Sequence, residues 1–288
     1  MHALVVSPHA TIELSEVPEP VPGPGQVLVE VHHAGANFGE LRHTGHFPAG
    51  TIMGFDGAGV LADGTRVVGL GLGSWAELAV YPADAVAEVP ERVSLADAAA
   101  LPTAGLTALR TLRAAGPLDG RRVLVTGASG GVGRLAVQLA RREGAQVVAA
   151  AKRGEGLREL GAAEVVSEIH GAEPVDVVLE LIGGSTLVTA WGLLKPGGTL
   201  ISIGNASGEP AVFPAYSTIL MGPPRTLRTF GDVDDPAPDL AFLLDLVARG
   251  ELSPQVGWRG SWERIREASD ALLGRAVAGK VVLDVRHR

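Results

Sequence analysis

"RRVLVTGASGGVGRLAVQLARREGAQVVAAAKR", residues 121–153, decides the fold of this chain. Two cations open it, and an apolar run at 123–126 has the composition of a strand covered on both faces. The small residues Ala128, Ser129, Gly130, Gly131, Val132 and Gly133 then lead into a helix of about three turns, and a second strand follows at 146–151. Strand, glycine-rich turn, helix and strand make the dinucleotide fingerprint, with Ala128 in the first glycine position. Small side chains let the backbone turn sharply and approach a pyrophosphate, and Gly133 lets the helix sit close on the strand. The helix start offers free N–H groups and a positive dipole end to the anion.

The end of the second strand distinguishes the two nicotinamide dinucleotides. An acid there would bind a ribose 2′-hydroxyl. The chain instead has Ala151 followed by Lys152 and Arg153, two cations suited to a 2′-phosphate, so NADPH is the expected cofactor.

Working outward, strands and helix-length segments alternate downstream: "GLRELG" (156–161), "AEVVS", "VDVVLELIGG" (175–184), "STLVTAWGLLKPGG" and "TLISIG". That alternation predicts an α/β fold, a doubly wound parallel sheet of Rossmann type. Gly183, and then Gly204 with Asn205, end strands at the carboxyl edge, where cofactors lie. Upstream, "HALVVS", "QVLVEVHHAG" and "AGVLADGTRVVGL" are short strands broken by Gly, Pro and Asp, with "ADGT" (62–65) a tight turn. The texture changes at Ser94, a capping residue before an Ala/Leu helix that Pro102 divides in two. A helix at 238–250, a second helical pattern in 261–279 and the strand "KVVLDV" complete the chain. The expected organisation is a β-rich substrate domain of residues 1–95 and 237–288, with a dinucleotide-binding domain of residues 96–236 inserted.

Composition narrows the function. The chain has 288 residues, 46% apolar and 19% charged, as a globular protein of two lobes requires. A formal charge of −8 argues against nucleic acid or an anionic membrane as the main partner. No apolar run reaches the roughly 18 residues of a membrane helix, and the N-terminus lacks the pattern of a signal peptide, so a cytoplasmic protein is expected. The absence of cysteine removes disulfides, thiolate zinc sites and cysteine nucleophiles together.

Four segments resemble the medium-chain dehydrogenase/reductase superfamily, in its zinc-independent quinone oxidoreductase (zeta-crystallin-like) branch. They are "GANFGELRHTGHFP" (35–48), "LPTAGLTAL" (101–109), "VTGASGGVGRLAVQLA" (125–140), and "VDVVLELIGG" with "LLKPGGTLISIG" (193–204). The resemblance implies a GroES-like fold for the β-rich domain and a homodimer. It implies that Asn37 lies beside the nicotinamide ribose and the substrate carbonyl, that Thr107 is near the nicotinamide, and that Lys280 returns to that neighbourhood. Where relatives carry a pocket Tyr this chain has Phe47, and the pattern's Arg and Asp fall at His43 and Glu40. His43 or His46 is then a candidate proton donor, since a neutral-range pKa suits general acid work. Phe55, Trp75, Tyr216 and Phe230 are candidate pocket walls or plain core.

Zinc relatives use a cysteine and a Gly-His-Glu triplet. Here the triplet reads Gly54-Phe55-Asp56, and a substitute set of His43, His46 and Asp56 is the one alternative; no metal is expected. Without a Lewis acid an unactivated alcohol is a poor substrate, whereas a conjugated acceptor spreads the incoming charge. The implied activity is hydride transfer to a small electrophile, a quinone or an α,β-unsaturated carbonyl. An NADP-linked alcohol dehydrogenase, a biosynthetic tailoring reductase and a non-enzymatic NADPH-binding protein remain as alternatives.

Overall fold

The computed structural model describes residues 1–219 and 221–286, so the last two residues of the expected 237–288 segment lie outside the described residues. The chain divides into two compact units, Met1–Leu106 with Val233–Arg288, and Thr107–Asp232.

The first unit begins with β1 (His2–Val6) and β2 (Ile12–Glu16), an antiparallel pair. The long strand β3 (Gln26–Ala36) runs into the short helix α1 (Phe38–Arg42) and a 3-10 turn at Thr44–His46. Strands β4 (Asp56–Val60), β5 (Arg66–Leu70), β6 (Leu78–Pro82) and β7 (Val86–Glu88) follow. Gly64, at φ +86°, makes the tight turn between β4 and β5, and the Asp63 carboxylate accepts from Thr65 N at 2.9 Å. Helix α2 (Leu95–Ala99) starts where Ser94 Oγ accepts from Asp97 N at 3.0 Å, and α3 (Pro102–Ala114) starts at the proline.

The Thr107–Asp232 unit holds β8 (Arg122–Thr126), α4 (Gly131–Arg142), β9 (Gln146–Ala150), β10 (Glu164–Val166), β11 (Val175–Glu180), α5 (Gly184–Leu193), β12 (Leu194–Ser202) and β13 (Thr226–Thr229). Its sheet runs β10-β9-β8-β11-β12-β13, parallel throughout. This is the Rossmann order, and it reverses between β8 and β11, where a doubly wound sheet places its ligand. The crossover segment "GLRELG", expected as a helix, is a run of turns instead. Gly156 and Gly161, which bracket it, both take positive φ, outside the right-handed helical region.

The chain then returns to the first unit with α6 (Ala237–Ala248), β14 (Val256–Ser261), α7 (Ile265–Leu273) and β15 (Lys280–Asp284). The seven-stranded sheet runs β14-β15-β3-β4-β5-β7, with β6 also paired to β3. It is the β-rich GroES-like fold, with Trp75 and Tyr81 fully buried in its core. Pairing of β15 with β3 sets Val281 opposite Ala36. The register thereby brings Lys280, at the start of one strand, to Asn37, just past the end of the other.

Candidate active site

In the Rossmann unit the glycine-rich turn is built as its sequence requires. Gly127 takes φ +60°, Ala128 is fully buried and its N–H donates to Ala150 O at 3.0 Å. A Cβ at Gly133 would lie 2.5 Å from Gly127 O and 2.6 Å from Ala128 Cα, so only glycine lets α4 approach β8 this closely. The first main-chain bond into the helix is Arg134 N to Gly130 O at 2.9 Å. The amides of Gly131, Val132 and Gly133 precede it and are those a helix start leaves without a main-chain acceptor. Together with Ser129 and Gly130, half-buried at the opening, they form an anion cradle that fits a dinucleotide pyrophosphate.

Glu180 fixes the neighbouring strand end, and sequence reasoning missed it. Its carboxylate is fully buried, accepts from Ile182 N and Gly183 N at 2.9 Å each, and takes Thr126 Oγ1 at 3.0 Å. Thr126 Oγ1 in turn accepts from Leu181 N at 2.9 Å, so the ends of β8 and β11 are tied together at the switch point. Burial pushes the Glu180 carboxyl above its ordinary range, against the N–H bonds that favour its charged form. Gly183, at φ +76°, leaves a gap that Asn205 fills: a Cβ there would come 2.2 Å from Asn205 Oδ1. Gly204 likewise lies against the Leu181 carbonyl. Lys152 and Arg153 follow β9 and are exposed.

A second cluster lies within the GroES-like unit. Lys280, 2% exposed, donates from Nζ to Asp56 Oδ2 at 3.0 Å and to Asn37 Oδ1 at 2.5 Å. Asn37 Nδ2 donates to Asp56 Oδ2 at 3.0 Å and to Glu40 Oε1 at 2.8 Å, and its backbone N donates to Glu40 Oε2 at 3.1 Å. Asp56 Oδ1 also takes the backbone N of Thr103 at 2.9 Å and the Thr103 hydroxyl. Two buried carboxyls thus face one ammonium. Burial first, and Asp56 second, push the Glu40 carboxyl up to about 8, so Glu40 holds a proton at neutral pH. Asn37 is the residue expected beside the nicotinamide ribose and the substrate carbonyl. Both protons of Nδ2 and the acceptor Oδ1 are engaged inside the network, and Asn37 acts as its hub.

The remaining predicted residues belong to both units. His43 and His46 are exposed and stack on each other, ring centroids 5.2 Å apart, whereas Asp56 is fully buried. Among the described residues no three His, Cys, Asp or Glu side chains converge as a metal site, and the charge facing Asp56 is the lysine ammonium. Thr107 is half-buried on α3. Trp75 is core, its indole N–H donating to Gly35 O at 2.9 Å; Tyr216 is 80% exposed, which removes both as pocket walls. Phe47 packs against the core of the same unit, and Phe55 and Phe230 are half-buried. The signal that would have found Glu180 is an acid closing the apolar run 177–179 at the carboxyl end of a strand.

A family model described as zinc-binding dehydrogenase matches residues 160–283. The chain is 37% identical over 306 residues to the pikromycin polyketide synthase component PikAII of Streptomyces venezuelae, a match covering 92% of this chain and 8% of that protein. The chain therefore spans a small part of that synthase. It is 30% identical over 325 residues to the synaptic vesicle membrane protein VAT-1 homolog of Homo sapiens, covering 92% of this chain and 80% of that one. Among solved structures, the quinone oxidoreductase from Thermus thermophilus, also solved in complex with NADPH, superimposes with a TM-score of 0.88 at 33% identity, over 99% of this chain and 100% of that one.

Proposed function

Because this chain belongs to the medium-chain dehydrogenase/reductase superfamily, in its quinone oxidoreductase branch, we propose that it passes a hydride from NADPH to a quinone or an α,β-unsaturated carbonyl without the help of zinc. The observation that carries this reading is the cradle at Gly133, where a strand, a sharp turn and a helix start meet with no room for a side chain. NADPH is the cofactor, and when bound it supplies the reducing equivalent. Ser129, Gly130, Gly131 and Val132 would hold its pyrophosphate, and Lys152 with Arg153 its 2′-phosphate. Gly183, Gly204 and Asn205 shape the strand ends beside the cradle, held in place through Glu180 and Thr126.

Lys280 and Asn37 are assigned to the shape and charge of the GroES-like unit. Polarisation of the acceptor carbonyl falls to the Thr107 hydroxyl and to the exposed imidazoles of His43 and His46, one of which supplies the proton. A conjugated acceptor needs only such modest donors, because its own π-system takes up charge. The absence of a converging ligand set among the described residues supports zinc independence, as does the ammonium that takes the place of a cation.

The similarity to a polyketide synthase component supports one narrower variant, a reductase that tailors an enoyl intermediate in biosynthesis. We assign the chain to the cytoplasm; no helix among the described residues is long and apolar enough to cross a membrane. A second copy is the proposed partner, supported by β13, an edge strand whose four residues are all exposed, and by the exposed apolar residues Val212, Tyr216, Ile219, Met221 and Leu227 in and before it. Oxidation of NADPH, followed by absorbance against a panel of quinones, enones and simple alcohols, tests the activity. Turnover of quinones or enones that survives a chelator is expected. Tight NADPH binding with no turnover of any acceptor would replace the reductase with a binding protein.

A further inference from the structure

Arg134 stands in an unfavourable place for a cation. It lies in the first turn of α4, close to the positive end of the helix dipole, and is only 8% exposed. Burial lowers its guanidinium pKa, with Glu155 and Glu159 opposing that effect. No feature of the sheet or of the phosphate turn requires an arginine there.

Its guanidinium instead reaches the loop that follows β9. Nη2 donates to Glu155 O at 2.5 Å. Gly156, at φ +76°, presents its bare Cα to the same group, and a Cβ there would come within 3.3 Å of Nη1. The loop is pinned at two more points. Gly154 lies against Val165, where a Cβ would meet Cγ1 at 2.5 Å, and Leu157 is fully buried, its N–H donating to Gly154 O at 3.2 Å. Upstream, Ala151 N donates to Val166 O at 2.9 Å. Lys152 and Arg153 are thus an exposed cationic pair between two anchored ends, and Arg134 is the anchor that adds a third positive charge.

We propose that Arg134 is a positioning and specificity-determining residue for the ribose 2′-phosphate: it fastens the 152–157 loop so that Lys152 and Arg153 meet that dianion together. This inference rests on the NADPH reading above. Two floppy surface cations lose rotamer entropy on gripping a phosphate, whereas a loop already held pays less of it. NADH carries a hydroxyl at that position and gains nothing from the clamp.

The test measures binding of NADPH and of NADH, each by nucleotide fluorescence, to wild type, Arg134→Met, Arg134→Lys and Arg153→Ala, and to the Arg134→Met/Arg153→Ala double variant. Loss of a charged hydrogen bond that organises the loop predicts an NADPH Kd raised about tenfold or more in Arg134→Met, with the NADH Kd within about twofold of wild type. Arg134→Lys, which keeps the charge and one donor and guards against a folding defect, should fall between. Arg153→Ala should cost less NADPH affinity in the Arg134→Met background than in wild type, because both changes act on one loop. Equal weakening of both nucleotides, or unchanged NADPH affinity in Arg134→Met, overturns the inference while leaving the cofactor reading intact. Wild-type protein that binds neither nucleotide overturns both.

Discussion

Replacing Glu40 with glutamine should remove a large part of the pH response of the GroES-like unit. The Glu40 carboxyl is raised from its ordinary value near 4.5 to about 8, chiefly by burial and then by Asp56. A folded pKa above the unfolded one means that the native state binds more protons through that window. The Glu40 contribution to stability is therefore fully present below about pH 4.5 and is lost as pH rises towards 8, at about 1.4 kcal/mol per pH unit. Taken whole, this ties about 5 kcal/mol of folding free energy to one proton; relaxation around a buried charge brings the expected change between pH 5 and 8 to about 2–4 kcal/mol. The amide of Glu40→Gln removes the titration and keeps an acceptor for Asn37 Nδ2. It loses the acceptor that Asn37 N uses at 3.1 Å, a cost of about 1 kcal/mol. Glu40→Gln should be slightly less stable than wild type at pH 5 and more stable at pH 8. Urea unfolding followed by tryptophan fluorescence reads this, in a Trp191→Phe background so that the remaining tryptophans, Trp75, Trp258 and Trp262, report the GroES-like unit. Parallel pH dependences for the two proteins, with no crossing, would refute the idea that Glu40 is the proton holder.

Three further outcomes follow from the same geometry. Gly133→Ala puts a Cβ 2.5 Å from Gly127 O, so α4 must move off the strand; NADPH binding by calorimetry should be lost, with a stability cost of about 1–3 kcal/mol. Lys280→Met leaves Asp56 buried opposite no cation and should destabilise by about 3–5 kcal/mol, with most of the loss recovered in Lys280→Met/Asp56→Asn, read by thermal melting. Glu180→Gln turns an amide N–H toward one of the donors Ile182 N, Gly183 N and Thr126 Oγ1; NADPH affinity should fall several-fold while the acceptor KM is unchanged, in steady-state kinetics.

The dinucleotide unit was legible because its evidence is local. Strand, turn and helix are contiguous in 121–153, and the requirement for glycine at position 133 is imposed within six residues of chain. Strand β13 was not legible, because all four of its residues are exposed and no apolar alternation marks it. Strand β14, with two glycines and an arginine in six residues, hid for the same reason. The "GLRELG" segment read as helix from its Leu spacing, and only the positive φ of its flanking glycines decides otherwise. The charged network is the opposite case from the fingerprint. Lys280 and Asn37 are 243 residues apart, and nothing near either residue announces the other. Their meeting depends on the pairing of β15 with β3, a long-range register that composition does not encode.

That register also links the proton on Glu40 to the zinc-free reading. Asp56 Oδ2 and the Asn37 carbonyl oxygen meet at one point, while Glu40 stands one amide away, its two oxygens taken by the N–H groups of Asn37. The chain brings a tethered ammonium to that point, bonded to both oxygens. One positive charge balances one carboxylate, so the second carboxyl must keep its proton to leave the buried cluster neutral, and Glu40 is the one raised to about 8. A divalent ion in the same place would balance both carboxylates and return Glu40 to ordinary carboxylate behaviour. The crossing of the Glu40→Gln and wild-type stability curves therefore reports on the cation as well as on the acid. A tethered monovalent charge requires the crossing, and added divalent metal that abolished it would place the metal, rather than Lys280, at the centre of the cluster.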